Sequence, residues 1–390
     1  MKTSFRLFLL IALVAGLFAV PGRAGQALAQ EGEATIDLLI QVDGSAPSVV
    51  SQVEALGGAI KLAYKNAPVL AVTLPASQAK ALKGLPGVVR IAKDRLVYLT
   101  DDVISNPFKD KPTSFEVQDA SRVAIRSLDP AGLASGALPQ GYANFIYTGA
   151  AGIWDQVGYG AGTTVAVVDT GVAPNVCLAH AVVGAPGFPD GYNATGDGVP
   201  ATSDTNHWHG THVGGVIASA CALDFTGAED DPLYQAISAY LPWPADFVPV
   251  FGQAPMAQLY PVKVFPQSGE GVPTSIVLDG LDHVLTLKKG GLLDIDIVNM
   301  SLGGPTLFDG QDFFDLFIQE LVNADILVVT AAGNSGPWHN SNGSPGTSLF
   351  SVTSGALDYA PSSRVLYEYL GLYYGLGPGQ GLVMRIWQVC

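Results

Sequence analysis

The sequence predicts an α/β fold, with a parallel sheet covered by helices on both faces and a small α+β domain in front of it. Hydrophobic residues make up 48% of the chain and charged residues 14%, which leaves ample material for a buried core. Strand candidates after residue 163 are apolar on both faces, as in a sheet buried on both sides. Helical patterns separate those strands, which is typical of parallel α/β architecture.

The elements of the larger domain follow in order along the chain. Strand patterns occur at residues 164–168, 258–265, 295–300, 326–330 and 349–352. Helical patterns occur at residues 210–222, 274–287 and 311–323. The stretch between residues 223 and 255 is rich in Pro, Asp and aromatic residues, and we interpret it as a surface insertion.

The smaller domain precedes these elements. Its strand patterns lie at residues 35–42, 60–64, 69–74, 88–92 and 96–99, and its helical patterns at residues 48–56 and 76–83. The resulting order β-α-β-β-α-β indicates a ferredoxin-like unit. Residues 101–143 show no sustained periodicity and many Pro, Asp, Ser and Gly residues, so we expect a linker there.

The N-terminus and the overall charge indicate an exported protein. Lys2 and Arg6 precede an apolar stretch at residues 7–20, and Ala27-Leu28-Ala29 follows as a small-residue cleavage site. The apolar stretch is short for a membrane span, which needs roughly 20 residues. A net charge of −15 argues against nucleic acid and anionic membranes as partners, because both require clustered Lys and Arg. We therefore expect residues 1–29 to be a signal peptide, and the mature protein to be secreted and free of the membrane.

The chain contains three cysteines: Cys177, Cys221 and Cys390. Export permits a disulfide bond, and Cys177 with Cys221 is the pair that lies within the well-patterned region. Two small buried residues are an equally good interpretation of that pair.

Asp169 and His209 are the first candidates for chemistry. Asp169 directly follows the apolar run TVAVV, and catalytic groups gather at the carboxyl ends of strands in parallel sheets. His209 and His212 open a helix rich in Gly and Ala, whose small residues allow close packing against the sheet. A histidine in the first turn of that helix would be presented next to the strand ends.

Two further motifs follow strands of the same predicted sheet. Asn334 lies on a glycine turn just past the strand at residues 326–330, where its side-chain amide could donate to a developing oxyanion. An ordinary turn asparagine is the alternative. The run Ser301-Leu302-Gly303 could present an extended edge that pairs with a peptide backbone.

Taken in order, the motifs DTG, HGTHVGG, SLGG and AAGN resemble those of the subtilisin family of serine proteases. The resemblance implies that Asp169 orients the histidine, that His209 is the general base and that Asn334 is the oxyanion donor. It implies a substrate-binding strand at residues 301–303, and hydrolysis of peptides or proteins by acyl transfer. It also allows calcium as a cofactor, although no ligand cluster in the sequence is specific enough to name.

The same resemblance gives a domain organisation. Residues 34–99 look like the family's inhibitory propeptide, a partner held in cis. The expected domains are therefore a signal peptide at 1–29, a propeptide at 30–100, a linker at 101–143 and a subtilisin-like peptidase domain at 144–390.

The nucleophile departs from the family pattern. The family carries its serine in a G-T-S-M-A-x-P-like motif at the start of a helix, and no residues after Asn334 spell that motif. Ser348 in Gly346-Thr347-Ser348 is a weak candidate, because the sequence around it predicts a turn entering a strand. We expect a C-terminally incomplete peptidase domain that is inactive as given. A secreted pseudoprotease that binds peptides without cleaving them is the alternative.

A metal-dependent hydrolase is a further alternative. His207, His209 and His212 spell H-x-H-x-x-H, which resembles the metallo-β-lactamase superfamily, and three nearby imidazoles could bind zinc. That superfamily places an acidic residue where this chain has Thr211, which weakens the zinc interpretation.

Overall fold

The structure is a computed structural model that describes residues 34–44, 46–99, 124–135, 149–230, 234, 246–306, 312–335 and 341–355. The predicted signal peptide, most of the predicted linker and Cys390 lie outside these residues. Among the residues described, no helix has the length and apolar character needed to cross a membrane.

The N-terminal unit contains strands β1 (Thr35–Val42), β2 (Ala59–Ala63), β3 (Val69–Pro75), β4 (Val88–Lys93) and β5 (Leu96–Leu99), and helix α1 (Ala46–Ala55). The first four strands form a sheet of order β2-β3-β1-β4, and every pairing in it is antiparallel. The helix predicted at residues 76–83 is wrong: two short 3₁₀ turns, Ala76–Gln78 and Ala81–Gly84, take its place. Leu82 is the one buried residue in these two turns, so little packing favours a longer helix.

Alternate residues of this antiparallel sheet face two different cores. Leu38 and Ile40 of β1 pack with Val49 and Val53 of α1. Leu39, which points the other way, belongs to the main core of the larger unit.

The larger unit continues with β6 (Ala124–Ser127), α2 (Ala131–Ala134), α3 (Trp154–Val157), β7 (Thr164–Asp169), β8 (Tyr192–Asn193) and α4 (Trp208–Ala218). The chain then forms β9 (Ala220–Asp224), β10 (Phe247–Phe251), β11 (Gln258–Lys263), β12 (Val272–Pro273) and α5 (Thr274–Lys289). The last described elements are β13 (Ile297–Met300), β14 (Leu302–Gly303), α6 (Phe313–Asn323), β15 (Leu327–Ala331) and β16 (Val352–Ser354).

The main sheet has six parallel strands in the order β16-β15-β13-β7-β11-β8. Val165 and Val167 of β7 pack on one face with Val213 of α4. Ala166 and Val168 pack on the other face, in the cluster that contains α5 and α6. Helices therefore cover both faces, which is the predicted α/β arrangement.

A second, three-stranded sheet of order β10-β9-β6 occupies segments that were predicted as helix, insertion and linker. The helix predicted at residues 210–222 ends at Ala218, and Ala220–Asp224 is strand β9. β9 pairs antiparallel with β10, inside the predicted insertion, and with β6, inside the predicted linker. The linker and insertion predictions are wrong for these strands. The partner of β6 lies about a hundred positions away in sequence, so this pairing leaves no local periodicity.

The fifth predicted strand also begins later than expected. Leu349 and Phe350 lie in a turn and are 84% and 44% exposed, and β16 starts only at Val352. The apolar pattern that predicted a strand at residues 349–352 therefore does not correspond to a buried surface among the described residues.

A disulfide bond joins Cys177 and Cys221. It links the loop that follows Asp169 to strand β9, directly after the helix that carries His209. Of the two interpretations of this cysteine pair, the structure selects the disulfide.

Candidate active site

Asp169 and His209 form a buried pair at the carboxyl end of the main sheet. Asp169 is the last residue of β7, His209 lies in the first turn of α4, and both side chains are fully buried. The His209 Nδ1 atom lies 2.8 Å from Oδ1 and 2.9 Å from Oδ2 of Asp169. The predicted contact between these two residues is confirmed. Because Nδ1 faces the carboxylate, proton transfer by the imidazole falls to Nε2.

Thr170 fixes the start of the helix that carries His209. Its Oγ1 donates to the His207 carbonyl oxygen at 2.7 Å and accepts from the Gly210 N–H at 2.9 Å. A Cβ atom at Gly210 would collide with the Gly171 carbonyl oxygen, so a glycine is required for this close approach. The Thr170 N–H also donates to Asp169 Oδ1 at 2.7 Å, so the same residue tethers both members of the pair.

A buried lysine binds two residues of the loop that precedes this helix. Lys263 ends β11 beside Asp169, and its fully buried ammonium lies 2.7 Å from both Asp197 Oδ2 and Asn206 Oδ1. Burial disfavours the charged form of Asp197. Hydrogen bonds from Lys263, the Val199 N–H, Asn193 and the Gln267 N–H outweigh that burial and hold the pKa of Asp197 well below its ordinary value. The sequence analysis missed this ion pair, although a lysine inside the apolar run PVKVF was a signal for it.

The remaining predicted site residues lie at neighbouring strand ends. Ser301 follows β13, Leu302 and Gly303 form β14, and Asn334 follows β15. Leu302, Gly303 and Asn334 line one surface pocket together with Gly333, whose φ of +91° favours glycine. Asp169 therefore ends β7, and Ser301 and Asn334 follow β13 and β15, so the three residues lie at one edge of three adjacent parallel strands.

A strand of the N-terminal unit fills the groove beside this pocket. β5 lies between β12 and β14 and pairs antiparallel with both, with Val97 opposite Val272 and Leu99 opposite Leu302. Val97 is 3% exposed and Leu99 1%. The sequence predicted the strand at 96–99 and the pairing role of residues 301–303, but not the register in which these two segments pair with each other.

Ser348, the weak nucleophile candidate, lies in the turn before β16. It is 9% exposed, and its Oγ accepts from the Phe350 N–H at 3.3 Å. The predicted turn at this position is confirmed.

Two of the three histidines of the zinc interpretation, His207 and His209, have other roles. His207 caps α4 by accepting from the His209 N–H, and His209 is bound to Asp169. Within the described part of the chain, no group of three or more His, Cys, Asp or Glu residues is placed to hold a metal ion. We assign neither zinc ligands nor calcium ligands.

Comparisons with known proteins agree with this geometry. The model of the subtilase family, Peptidase_S8, matches residues 160–368. Serine protease AprX of Bacillus subtilis is 34% identical over 203 residues, covering 51% of this chain and 39% of that protein. Subtilisin DY of Bacillus licheniformis is 34% identical over 216 residues, covering 54% of this chain and 62% of that protein. This chain thus spans from about two fifths to three fifths of the length of these two relatives.

A solved structure shows the same fold. The crystal structure of fervidolysin from Fervidobacterium pennivorans, a keratinolytic enzyme related to subtilisin, superposes with a TM-score of 0.53 at 19% identity. The match covers 85% of this chain and 45% of fervidolysin. The predicted fold class is confirmed by this likeness.

Proposed function

Because this chain belongs to the subtilase family, we propose that Asp169, His209 and Asn334 serve as orienting carboxylate, general base and oxyanion donor of a subtilisin-type serine endopeptidase. The observation that carries the proposal is the buried hydrogen bond from His209 Nδ1 to Asp169. It fixes the imidazole tautomer that leaves Nε2 to accept a proton. A buried carboxylate beside the ring also stabilises the imidazolium formed during the reaction.

The chemistry of such a site is acyl transfer. A serine Oγ transfers its proton to His209 Nε2 and attacks the carbonyl carbon of the scissile peptide bond. The tetrahedral oxyanion accepts hydrogen bonds from the Asn334 side-chain amide and a backbone N–H. His209 then gives the proton to the leaving amine, and a water molecule repeats the sequence to release the acyl group.

Residues 301–303 bind the substrate as an extended strand in this proposal. The pairing of β5 with Leu302 and Gly303 supports it, because an incoming peptide can make the same antiparallel ladder. The substrates are therefore peptides or unfolded protein segments.

The N-terminal unit acts as the inhibitory propeptide, within the range 30–100. Its support is that β5 occupies the groove where substrate would bind. Two carboxylates also join the units: Asp282 of α5 accepts from the Lys65 and Asn66 N–H groups at 3.0 and 2.8 Å. Asp94 accepts from the Ser275 N–H at 2.9 Å, at the start of the same helix. Export through a signal peptide at residues 1–29 would deliver this inhibited form as a secreted zymogen.

The 390 residues do not supply the nucleophilic serine in this proposal. The family motif is absent after Asn334, and the Ser348 Oγ is engaged in its own turn. The chain as given is therefore inactive as a peptidase in this proposal. The occupied groove equally suits a peptide-binding pseudoprotease, and one experiment separates these two functions.

A fluorophosphonate probe, which labels activated serines covalently, tests the proposal. We expect no labelling of the purified chain. Appending a family-like G-T-S-M-A segment with its following helix should restore labelling, and His209→Ala should then abolish it. His180→Ala is the matched control, since His180 hydrogen-bonds to the Pro255 carbonyl oxygen.

Three outcomes are informative. Labelling of the unextended chain that Ser348→Ala abolishes would make Ser348 the nucleophile and contradict the proposal. An extended chain that folds and is not labelled would favour the pseudoprotease. Labelling that survives His209→Ala would remove the histidine from its role as base.

A further inference from the structure

We propose that Gly271 forms an aromatic-binding subsite in the peptide groove, filled by Tyr98 in the propeptide, and that this subsite selects an aromatic residue in bound peptides. The inference rests on the proposed function of the groove. It adds a specificity-determining residue that none of the four sequence motifs contains.

The strand register places Tyr98 beside Gly271. On one side of β5, Tyr98 pairs with Gly303 of β14. On the other side, Val97 pairs with Val272 and Leu96 with Pro273. Continuing this antiparallel register by one residue brings Tyr98 opposite Gly271. The tyrosine is thus flanked by a glycine in each neighbouring segment.

The ring of Tyr98 lies directly on Gly271. A Cβ atom added to Gly271 would lie 2.5 Å from Cε1 and 2.6 Å from Cδ1 of Tyr98. The φ angle of Gly271 is outside the left-handed region, so backbone conformation does not require glycine here. The added Cβ would also lie 3.2 Å from the Val97 carbonyl oxygen, but the two ring contacts are far closer, so space for the ring is the main reason for this glycine.

Gly303 plays a different part. A Cβ atom there would point toward the Ser344 carbonyl oxygen, at 3.0 Å, and not toward the tyrosine. Gly303 therefore packs against the backbone of the groove at Ser344, and of the two glycines Gly271 is the one that contacts the tyrosine ring.

The chemistry of the contact favours a flat side chain. A glycine within a paired segment leaves its backbone uncovered, and a cross-strand aromatic ring covers that backbone efficiently. The residues before and after Tyr98, Val97 and Leu99, are buried, whereas Leu96 is 49% exposed. Tyr98 is half-buried, so its ring covers the glycine on one side and meets solvent on the other.

Hydrogen exchange in the full chain tests the subsite without requiring catalysis. The reporters are the N–H groups of Thr274 and Ser275, which donate to the Arg95 carbonyl oxygen and to Asp94. Both lie in the first turn of α5, where no intrahelical acceptor exists, so their protection depends on the docked strand.

The informative variants form a double-mutant cycle. Tyr98→Ala should accelerate exchange up to about fivefold, the upper range for a cross-strand pair. Tyr98→Leu should do the same and Tyr98→Phe should change nothing, because the flat ring is what fits. Gly271→Ala should accelerate exchange by about tenfold through the collision with the ring. Adding Gly271→Ala to Tyr98→Ala should have less than about a twofold further effect.

Controls separate the subsite from the groove itself. Gly84→Ala, a position with open space around it, should leave exchange unchanged. Leu99→Asp should accelerate exchange strongly if β5 occupies the groove at all. If Leu99→Asp accelerates exchange and the effects of Gly271→Ala and Tyr98→Ala simply add, the aromatic subsite is wrong and the proposed function stands. Full protection in Tyr98→Leu would equally overturn the subsite. No response to Leu99→Asp would overturn both.

Discussion

The two main sheets of this protein cover their apolar faces in different ways. The six-stranded parallel sheet has α4 on one face and α5 with α6 on the other, all from the larger unit. The four-stranded antiparallel sheet has its own helix, α1, on one face only. Its other face, with Leu39, Val69 and Ala71, joins the core that contains α5 and α6.

This difference shows which unit depends on the other. An antiparallel sheet commonly exposes one polar face to water, and the smaller unit instead presents apolar residues on both faces. Part of its stability must therefore come from the larger unit. Helices α5 and α6 form a layer between the two sheets, and Tyr64 packs edge-on against Phe317 across this contact with ring centroids 5.1 Å apart. Four predictions test the comparison.

Removing the disulfide should have a large effect, and a greater one in the larger unit than in the smaller. Cys177 and Cys221 are separated by 44 residues in sequence, and closing a loop of that size stabilises by about 4 kcal/mol in the chain-entropy model. The variant Cys177→Ser with Cys221→Ser should lower the free energy of unfolding by roughly this amount. Urea denaturation followed by tryptophan fluorescence measures it. Equal losses in β1 and β7, seen by hydrogen exchange, would mean that the units unfold together.

Two neighbouring residues of β1 should respond differently to truncation. Ile40→Ala and Leu39→Ala each remove a fully buried side chain, at a cost of about 2–5 kcal/mol. Ile40→Ala should accelerate hydrogen exchange mainly within β1 and α1. Leu39→Ala should also accelerate exchange at the contact between the units, including exchange of the N–H groups of Lys65 and Asn66. Identical exchange patterns for the two variants would contradict the division of faces.

Two carboxylates one turn apart on α5 provide a finer test. Asp282 accepts from two N–H groups of the smaller unit, and Asp279 accepts from the Tyr192 hydroxyl at 2.7 Å within the larger unit. Asp282→Ala leaves those donors without a carboxylate and should weaken docking by about 2 kcal/mol. Limited proteolysis should then cleave the smaller unit faster. Asp279→Ala is the control and should leave that cleavage rate unchanged.

The fourth prediction is a pH dependence at the start of α6. Burial, together with nearby Asp315, raises the pKa of Asp312 to about 6. Hydrogen bonds from Ser344 and the Phe314 N–H lower this pKa but do not offset the increase. The folded protein therefore holds this proton more tightly than the unfolded chain does. Its stabilising contribution is fully present below about pH 4 and is lost as the pH rises through 6.

Asp312→Asn isolates this contribution, because asparagine remains a good N-cap. The stability of the variant should change less between pH 4 and 7 than that of the parent chain. Arg90 of the smaller unit donates to the Asp312 carbonyl oxygen at 2.9 Å, so the docked unit helps to bury this carboxyl. Parallel pH profiles for parent and variant would contradict the assignment.

The sequence allowed prediction of the elements whose signals are local. β7, β11, β13 and β15 are short apolar runs, and each lies where the pattern indicated it. Asp169, His209 and Asn334 belong to compact motifs, and the rule that parallel strand ends meet at one edge was enough to bring their segments together.

What the sequence could not predict depends on distant partners. β6 is exposed along its whole length, so no burial pattern distinguishes it from a linker, and only its pairing with β9 makes it a strand. The place of β5 between β12 and β14 likewise depends on two segments more than 170 positions away. Lys263 was overlooked because its buried charge is satisfied by Asp197 and Asn206, which are far from it in sequence.

Helix α5 is suited to two surroundings. Three of its residues, Ser275, Asp282 and Thr286, lie on the side of the helix that faces the smaller unit. Ser275 hydrogen-bonds to Asp94, Asp282 to the N–H groups of Lys65 and Asn66, and Thr286 to the side chain of Asn66. If the smaller unit is the propeptide proposed above, its cleavage lets water replace each of these partners, because a hydroxyl or a carboxylate is well solvated. These three positions of the helix would then face solvent without any change in the helix itself.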